Sequence, residues 1–177
     1  MKIFIAGARA ITRFDDNVKN KLSSIYEKGY DVLVGDAAGV DSSVQKFYVD
    51  RNYSNVTVFA SNGMARNNIG NWNVEKVSVA STLQGFEFYE QKDIAMANAA
   101  DYGFMIWNGE SRGTLNNIIN LIKQNKSCGV YFLNKCYSIN SEKDLLSLLK
   151  LCPSSTTATY RKLTKTKTPP LIQIALF

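Results

Sequence analysis

Five short apolar runs alternate with segments of helical period along most of this chain, and no other feature constrains its fold as strongly. Helical period is clearest in residues 15–28, where apolar residues recur three or four positions apart. The runs show no polar alternation, which is typical of parallel strands buried on both faces. The pattern predicts an α/β fold: a Rossmann-like, doubly wound parallel sheet of about five strands in the order 3-2-1-4-5, with helices on both faces. The runs span residues 3–7, 31–35, 56–61, 102–107 and 129–134.

Pro153 divides the sequence into a domain and a tail. Residues 1–152 contain all the apolar runs, and we expect them to form one Rossmann-like domain. Residues 153–177 are basic and then apolar, which predicts a C-terminal tail. Three interpretations of its apolar end, residues 171–177, stay open: it adds a strand to a neighbouring subunit, covers the protein's own surface, or has no fixed structure. Residues 62–85 show no period and are rich in Asn and Gly, which predicts a long loop.

Composition excludes several kinds of chemistry. The chain has no histidine, which rules out Ser-His and Cys-His nucleophilic catalysis. Its three cysteines lack metal-like spacing, so we expect reduced thiols, no metal site and no cofactor. No stretch approaches the roughly 18 apolar residues of a membrane span, and the N-terminus lacks a secretory pattern. We therefore expect a cytoplasmic protein without membrane contact.

The positive charge is unevenly distributed. The net charge is +6, and residues 155–177 hold four basic residues and no acid, which leaves +2 for the rest of the chain. So small a charge on the domain predicts that nucleic acid is an improbable partner. A mild positive bias still suits a small anionic ligand.

Three loops that follow strands carry the residues of a candidate ligand site. In a doubly wound sheet, ligands bind at the carboxyl ends of the strands, near the point where strand order reverses. Two of these loops open predicted helices, whose N-terminal amides attract phosphate. The candidates are Gly7 and Arg9 after the first strand; Gly35, Asp36, Gly39 and Asp41 after the second; and Asn108, Ser111, Arg112, Gly113 and Thr114 after the fourth.

Each loop alone also fits a plain strand-to-helix turn. The carboxylate of Asp41 repels phosphate, so this residue either caps a helix or accepts hydrogen bonds from a ribose hydroxyl. Two helix starts of this kind at one edge of a sheet are less expected by chance than one.

Arg66 and Trp72 in the long loop are further candidates, because an indole can stack on a base. The alternative is a polar loop with one buried Trp. Residues 86–99 predict a helix, and we expect at least two of its four charged residues to form a solvated helix face; the four are Glu87, Glu90, Lys92 and Asp93.

The order of four segments resembles that of the SLOG superfamily over about residues 2–134. This superfamily groups LOG-type cytokinin phosphoribohydrolases, DprA, YspA-like proteins and nucleotide-sensing domains of bacterial immune effectors, and the small YspA-like proteins are the most similar group. The resemblance implies a Rossmann-like fold, a nucleotide-like ligand and a homo-oligomer, dimeric or higher. The segments are AGAR (6–9), VGDAAGVD (34–41), KDIAMANAAD (92–101) and WNGESRGT (107–114).

The chain departs from the LOG pattern at two positions. Lys92, followed by Asp93, stands where LOG enzymes have an Arg, and Asn117 stands where they have a Glu. Cleavage of an N-glycosidic bond calls for a carboxylate near the anomeric carbon, so Asn117 counts against hydrolysis. All three residues are candidate ligand contacts, and Glu110 and Glu87 are the candidate replacement carboxylates.

These observations lead to one main hypothesis. The protein binds a phosphate-bearing, nucleotide-derived small molecule, such as a nucleotide, an ADP-ribose-like molecule or a cyclic nucleotide signal. It acts as a sensor or a sequestering protein, with conflict between phage and host as one setting. The alternative is a nucleoside 5′-monophosphate N-glycosidase, that is, a LOG-like phosphoribohydrolase. DNA binding is the least favoured class, because the domain carries little charge.

Overall fold

The five predicted strands form the centre of one sheet, and two further strands extend its edges. The computed structural model describes residues 1–165. The sheet has the order β4-β3-β2-β1-β5-β6-β7, parallel except for β7, which runs antiparallel to β6. Without the outermost strands this is the predicted order, so the Rossmann-like fold is confirmed. The strands are β1 (Lys2–Gly7), β2 (Asp31–Gly35), β3 (Val56–Ser61), β4 (Asn73–Val77), β5 (Tyr102–Ile106), β6 (Cys128–Phe132) and β7 (Lys135–Ile139).

The two additional strands correct the predicted count of five. Strand β4 lies at the sheet edge with a mostly exposed, polar sequence, so it lacks the apolar signal of a buried strand. It falls inside the predicted loop 62–85. Strand β7 is also largely exposed and follows β6 through Leu133 and Asn134, whose φ angles of 50° and 58° form a tight hairpin turn.

Within residues 1–165, six helices cover the two faces of the sheet. Helices α1 and α2 pack with Ile5, Val34 and Val58 on one face. The other four helices pack with Phe4, Met105 and Val130 on the opposite face. The helices are α1 (Asp16–Glu27), α2 (Val40–Val49), α3 (Gly85–Ala99), α4 (Arg112–Lys123), α5 (Glu142–Leu149) and α6 (Ser154–Lys165).

Helix α6 lies where the sequence predicted the start of a tail. Its residues Thr156, Tyr160 and Leu163 are buried. The hydroxyl of Thr156 donates a hydrogen bond of 2.6 Å to the carbonyl oxygen of Gly109, in the loop after β5. The packed body therefore continues through residue 165. The predicted apolar segment 171–177 lies outside the described residues.

Within residues 1–165, no helix combines the length and the apolar character needed to cross a membrane.

The start of α2 depends on a glycine. Gly39 has a φ of 80° and a ψ of −127°, a conformation that side chains strongly disfavour. A Cβ at this position would also overlap the backbone of Arg9, since the loops after β1 and β2 are in contact there.

We expect Gly39→Ala to lower the free energy of unfolding by about 2–4 kcal/mol, because it adds both backbone strain and a clash. The matched control is Gly29→Ala, where φ is also positive (64°) but a Cβ meets nothing within 4 Å. That substitution should cost only about 1 kcal/mol. Urea unfolding at an unchanged m value measures both. Equal losses would show that the contact with Arg9 contributes nothing.

Candidate functional site

A cavity of about 540 Å³ lies at the carboxyl edge of the sheet, beside the ends of β1, β2 and β5. Strand order reverses between β1 and β5, and this is the position at which doubly wound sheets bind ligands. The cavity is bounded by the loops after these strands and by helices α3 and α4.

Nine of the candidate ligand-binding residues line this cavity, although they come from distant parts of the sequence. The three predicted loops each contribute at least one of them, and α3 and α4 contribute the rest. The nine are Gly7, Arg9, Asp41, Lys92, Asp93, Asn108, Ser111, Gly113 and Asn117.

A buried cluster of charges forms part of the cavity wall. Lys92 is 4% exposed, and its ammonium lies 2.7 Å from a carboxylate oxygen of Asp93. The Lys92 ammonium and the Asp41 carboxylate both lie close above the Cα of Gly35 at the end of β2. One cation therefore faces two carboxylates that line the cavity.

Burial and the neighbouring charges shift the pKa values of Lys92 and Asp41. Burial lowers the pKa of Lys92, but Asp93, Asp41 and Asp36 outweigh burial and leave that pKa above its ordinary value. Burial raises the pKa of Asp41 to about 6, although Lys92 opposes the shift. Lys92 is thus a fixed cation at neutral pH, and Asp41 gains or loses its proton under mildly acidic conditions.

The N-terminus of α4 supplies hydrogen-bond donors to the cavity. Ser111 caps the helix, and its hydroxyl accepts from the amide of Thr114 at 3.4 Å. The side-chain oxygen of Asn108 accepts from the amides of Glu110 and Ser111. The amides of Arg112 and Gly113, in the first helical turn, bond to no group among residues 1–165. A Cβ at Gly113 would meet nothing within 4 Å, so this helix end is open.

Asn117 is a buried amide without a partner. The residue is 4% exposed and lines the cavity one helical turn after Gly113. Its side-chain oxygen receives no hydrogen bond from the described part of the chain. Buried amides are almost always paired, so this group is one that a bound molecule would satisfy.

Two aromatic side chains of α3 form an apolar part of the cavity. Phe86 and Tyr89 are one turn apart on the helix, and both line the cavity. The guanidinium of Arg112 lies 3.8 Å from the Phe86 ring centre, and that of Arg66 lies 4.6 Å from the Tyr89 ring centre. Arg9 also approaches Tyr89, at 5.6 Å.

The remaining candidates lie outside the cavity wall. Arg66 makes a two-pronged ion pair with buried Asp36, with contacts of 2.6 and 3.1 Å. Burial raises the pKa of Asp36, but the hydrogen bonds from Arg66 outweigh it, so the pKa lies below its usual value. The others outside the wall are Gly35, Gly39, Trp72, Arg112 and Thr114, and both candidate carboxylates, Glu87 and Glu110, are exposed.

Trp72 holds its own loop in place rather than facing the cavity. Its indole N–H donates to the carbonyl of Tyr53 at 2.7 Å, and the Asn68 side chain bonds both the amide and the carbonyl of Trp72. Gln45 of α2 bonds the amide of Ile69 and the carbonyl of Asn67. The amide-rich segment therefore anchors the long loop to the body.

Sequence reasoning did not select Glu90, Tyr89 or Phe86, all of which line the cavity. Glu90 accepts a hydrogen bond of 2.9 Å from the Asn116 side chain, which joins α3 to α4. One signal was available. Phe86, Tyr89 and Glu90 lie at helical spacing from Asp93, so they share a face of α3 with this candidate residue.

The fold and this cavity define a Rossmann-like α/β protein with a polar cavity at the switch point of its sheet. No family model matches the chain, and no curated protein matches its sequence. The fold is similar to that of DNA processing protein A (DprA) from Helicobacter pylori, whose structure was described for its mode of binding single-stranded DNA. The TM-score is 0.57 at 13% identity, over 92% of this chain and 81% of that chain. DprA belongs to the SLOG/DprA-like group of Rossmann folds.

The likeness to DprA corrects one expectation. Nucleic acid was predicted to be an improbable partner because the domain carries little net charge. That prediction is wrong, since a similar solved structure is that of a protein that binds single-stranded DNA. Net charge alone does not exclude a nucleic-acid partner, because binding depends on where cations lie, and Arg9, Arg13 and Arg112 are all exposed.

The raised pKa of Asp41 predicts a pH-dependent stability. Between the ordinary value of 3.8 and the folded value of about 6, the folded state holds a proton that the unfolded state has released. The wild-type protein therefore loses stability as the pH rises through this window. Asp41→Asn lacks this loss, so its stability relative to wild type should rise by up to about 3 kcal/mol from pH ~4 to ~6.5.

Chemical unfolding across this pH range measures the difference. Asp50→Asn, at the exposed end of α2, is the matched control and should not reproduce the curve. If the difference in unfolding free energy between Asp41→Asn and wild type did not change with pH, the folded protein would not retain the Asp41 proton.

Proposed function

We propose that the cavity binds a nucleotide-derived small molecule, with its phosphate at the N-terminus of α4. The observation that carries the proposal is the open first turn of α4 in the same cavity as the unpartnered amide of Asn117. We also propose that the protein is a member of the SLOG superfamily, of the YspA-like kind. The similar fold of DprA supports this assignment.

The phosphate end of the ligand is assigned by charge. The amides of Arg112 and Gly113 and the partial positive charge of α4 favour an anion. The hydroxyl of Ser111 lies at the same helix start, and the exposed guanidinium of Arg9 lies at the mouth of the cavity. The carboxylates of Asp41 and Asp93 repel phosphate, so they suit a different part of the ligand.

The opposite end of the ligand is assigned to the apolar wall. Phe86, Tyr89 and Met96 offer two aromatic rings and a thioether, which suit the face of a nucleobase. This proposal replaces Trp72, whose indole N–H is engaged elsewhere, as the site of base stacking.

Asn117 favours binding over turnover. A neutral amide can neither attack an anomeric carbon nor activate water, although it can hydrogen-bond a sugar hydroxyl or a base. We therefore propose that the protein senses or sequesters a nucleotide signal.

Calorimetric titration with nucleoside 5′-monophosphates tests the proposal. Arg112→Pro removes one helix amide at a position that tolerates proline, since Ser111 before it is already extended (ψ 113°). We expect this variant to bind at least about 10-fold more weakly, because one hydrogen bond to a charged phosphate is lost. Arg112→Ala keeps the amide and is the matched control. Equal affinities in the two variants would contradict a phosphate at this helix start.

The same titration includes a short single-stranded oligodeoxynucleotide. Exposed Arg9 and Arg112 near the cavity, together with the fold shared with DprA, support a strand whose phosphate uses the α4 site. A steep loss of affinity with salt would indicate several phosphate contacts, as expected for a strand. Competition between the strand and a mononucleotide would place both at one site.

One observation favours the alternative, an N-glycosidase. Glu90, Asp93 and Asp41 all line the cavity, so carboxylates are available even though Asn117 is neutral. In this alternative, one carboxylate activates the water that replaces the base at the anomeric carbon, which yields free base and ribose 5-phosphate.

Incubation with nucleoside monophosphates and chromatography for free base tests this alternative. Glu90→Gln should reduce turnover at least about 100-fold if Glu90 acts on water. Glu87→Gln, one turn earlier on α3 and outside the cavity, is the matched control and should leave turnover unchanged. No free base from the wild-type protein at saturating nucleotide would exclude hydrolysis.

A further inference from the structure

The distribution of hydrogen-bonding groups in the cavity is uneven. Donors are concentrated at the N-terminus of α4, at Ser111 and Gly113. Acceptors are concentrated around Lys92, where Asp41 and Asp93 both line the cavity. A ligand that fits the whole cavity therefore carries an anion at one end and hydrogen-bond donors at another part.

Each of these two carboxylates has one oxygen engaged within the protein. One oxygen of Asp41 accepts from the amide of Ala37 at 3.1 Å, and one oxygen of Asp93 accepts from Lys92 at 2.7 Å. The second oxygen of each carboxylate receives no donor from residues 1–165. Asp36 differs from both, because Arg66 satisfies it and it lies outside the cavity wall.

The single positive charge of Lys92 also does not balance the negative charges of its two neighbouring carboxylates. One buried ammonium faces two carboxylates, so ionisation of both leaves one negative charge uncompensated in a buried wall. Hydroxyl groups of a ligand can donate to these oxygens without adding negative charge, whereas a second anion would be repelled.

Asn117 provides an independent indication of a ligand in this region. It is buried, unpartnered and lines the same cavity, one turn along α4 from the proposed phosphate position. A sugar phosphate carries hydroxyls on the same carbon chain as its phosphate, and such hydroxyls can pair with both an amide and a carboxylate.

We propose that Asp41, Asp93 and Asn117 recognise the vicinal diol of a ribose, so that the cavity selects ribose 5-phosphates over 2-deoxyribose 5-phosphates. This inference rests on the proposed phosphate site at α4. Asp41 and Asp93 accept hydrogen bonds from the two hydroxyls, and the Asn117 amide bonds one of them. A site that pairs its buried polar groups with a hydroxyl rejects the analogue that lacks it, because those groups then lose their partner.

The test compares ribose 5-phosphate with 2-deoxyribose 5-phosphate, and AMP with dAMP, by calorimetric titration of the full chain. The sugar phosphates carry no base, so a base amino group cannot produce the selectivity. We expect ribose 5-phosphate to bind at least about 10-fold more tightly than its deoxy counterpart, with the same preference for AMP.

Two variants test whether the carboxylates cause this selectivity. Asp93→Asn and Asp41→Asn should each reduce the preference for ribose to less than about threefold, because an amide supplies fewer acceptors than a carboxylate. Asp50→Asn, far from the cavity on the exposed end of α2, is the matched control and should keep the wild-type preference. The wild-type comparison needs no variant, so it holds even if a substitution impairs folding.

Each outcome is decisive. Equal binding of the ribose and deoxyribose compounds would overturn the inference and leave the proposed phosphate site intact. A preference that persists in both Asp variants would overturn the assignment to these carboxylates. Failure of all four compounds to bind would overturn the proposed function and the inference together.

Discussion

One buried ammonium group, that of Lys92, stabilises the buried carboxylate of Asp41 and the partly buried carboxylate of Asp93, which come from helices on opposite faces of the sheet. Asp93 lies on α3 and Asp41 on α2, and the cluster lies over Gly35 at the end of β2. Buried charges are costly unless they are paired, so loss of Lys92 would leave the carboxylates of Asp41 and Asp93 without the cation that they share. The cluster joins the two helical layers at the edge of the sheet where the cavity opens, and the shape and polarity of the cavity depend on it.

The fold could be predicted from the sequence where buried elements carry a recognisable pattern of apolar residues. Strands β1, β2, β3, β5 and β6 are apolar along most of their length because both of their faces are covered, and their order follows from right-handed crossovers. Strands β4 and β7 were not predicted because edge strands need little apolar sequence. Helix α6 was not predicted because its buried residues, such as Thr156 and Tyr160, are spaced among Thr, Ser and Lys.

The cavity was predictable where loops follow strands, since parallel strands bring their carboxyl ends to one edge. It was less predictable where helix side chains form the wall. Phe86 and Glu90 face the cavity because of the way α3 packs, and a single sequence does not show which helix face will do so. The segment around Trp72 looked like a base-reading loop, but the Asn68 amide bonds the loop's own backbone, and Gln45 of α2 bonds the amide of Ile69. Polar side chains in a long loop tend to hydrogen-bond the loop backbone, because its N–H and C=O groups are not paired within a helix or a sheet.

The hydrogen bond from Thr156 to the Gly109 carbonyl connects the last described helix to a wall of the cavity. Any shortened version of this protein that ends at the apparent boundary near Pro153 would lose that bond and the packing of Tyr160 and Leu163. The loop from Asn108 to Ser111 would then lose one of the contacts that hold it, the hydrogen bond at Gly109. Truncation far from the cavity in sequence would thus loosen the phosphate end of the cavity, and ligand studies require the chain through residue 165.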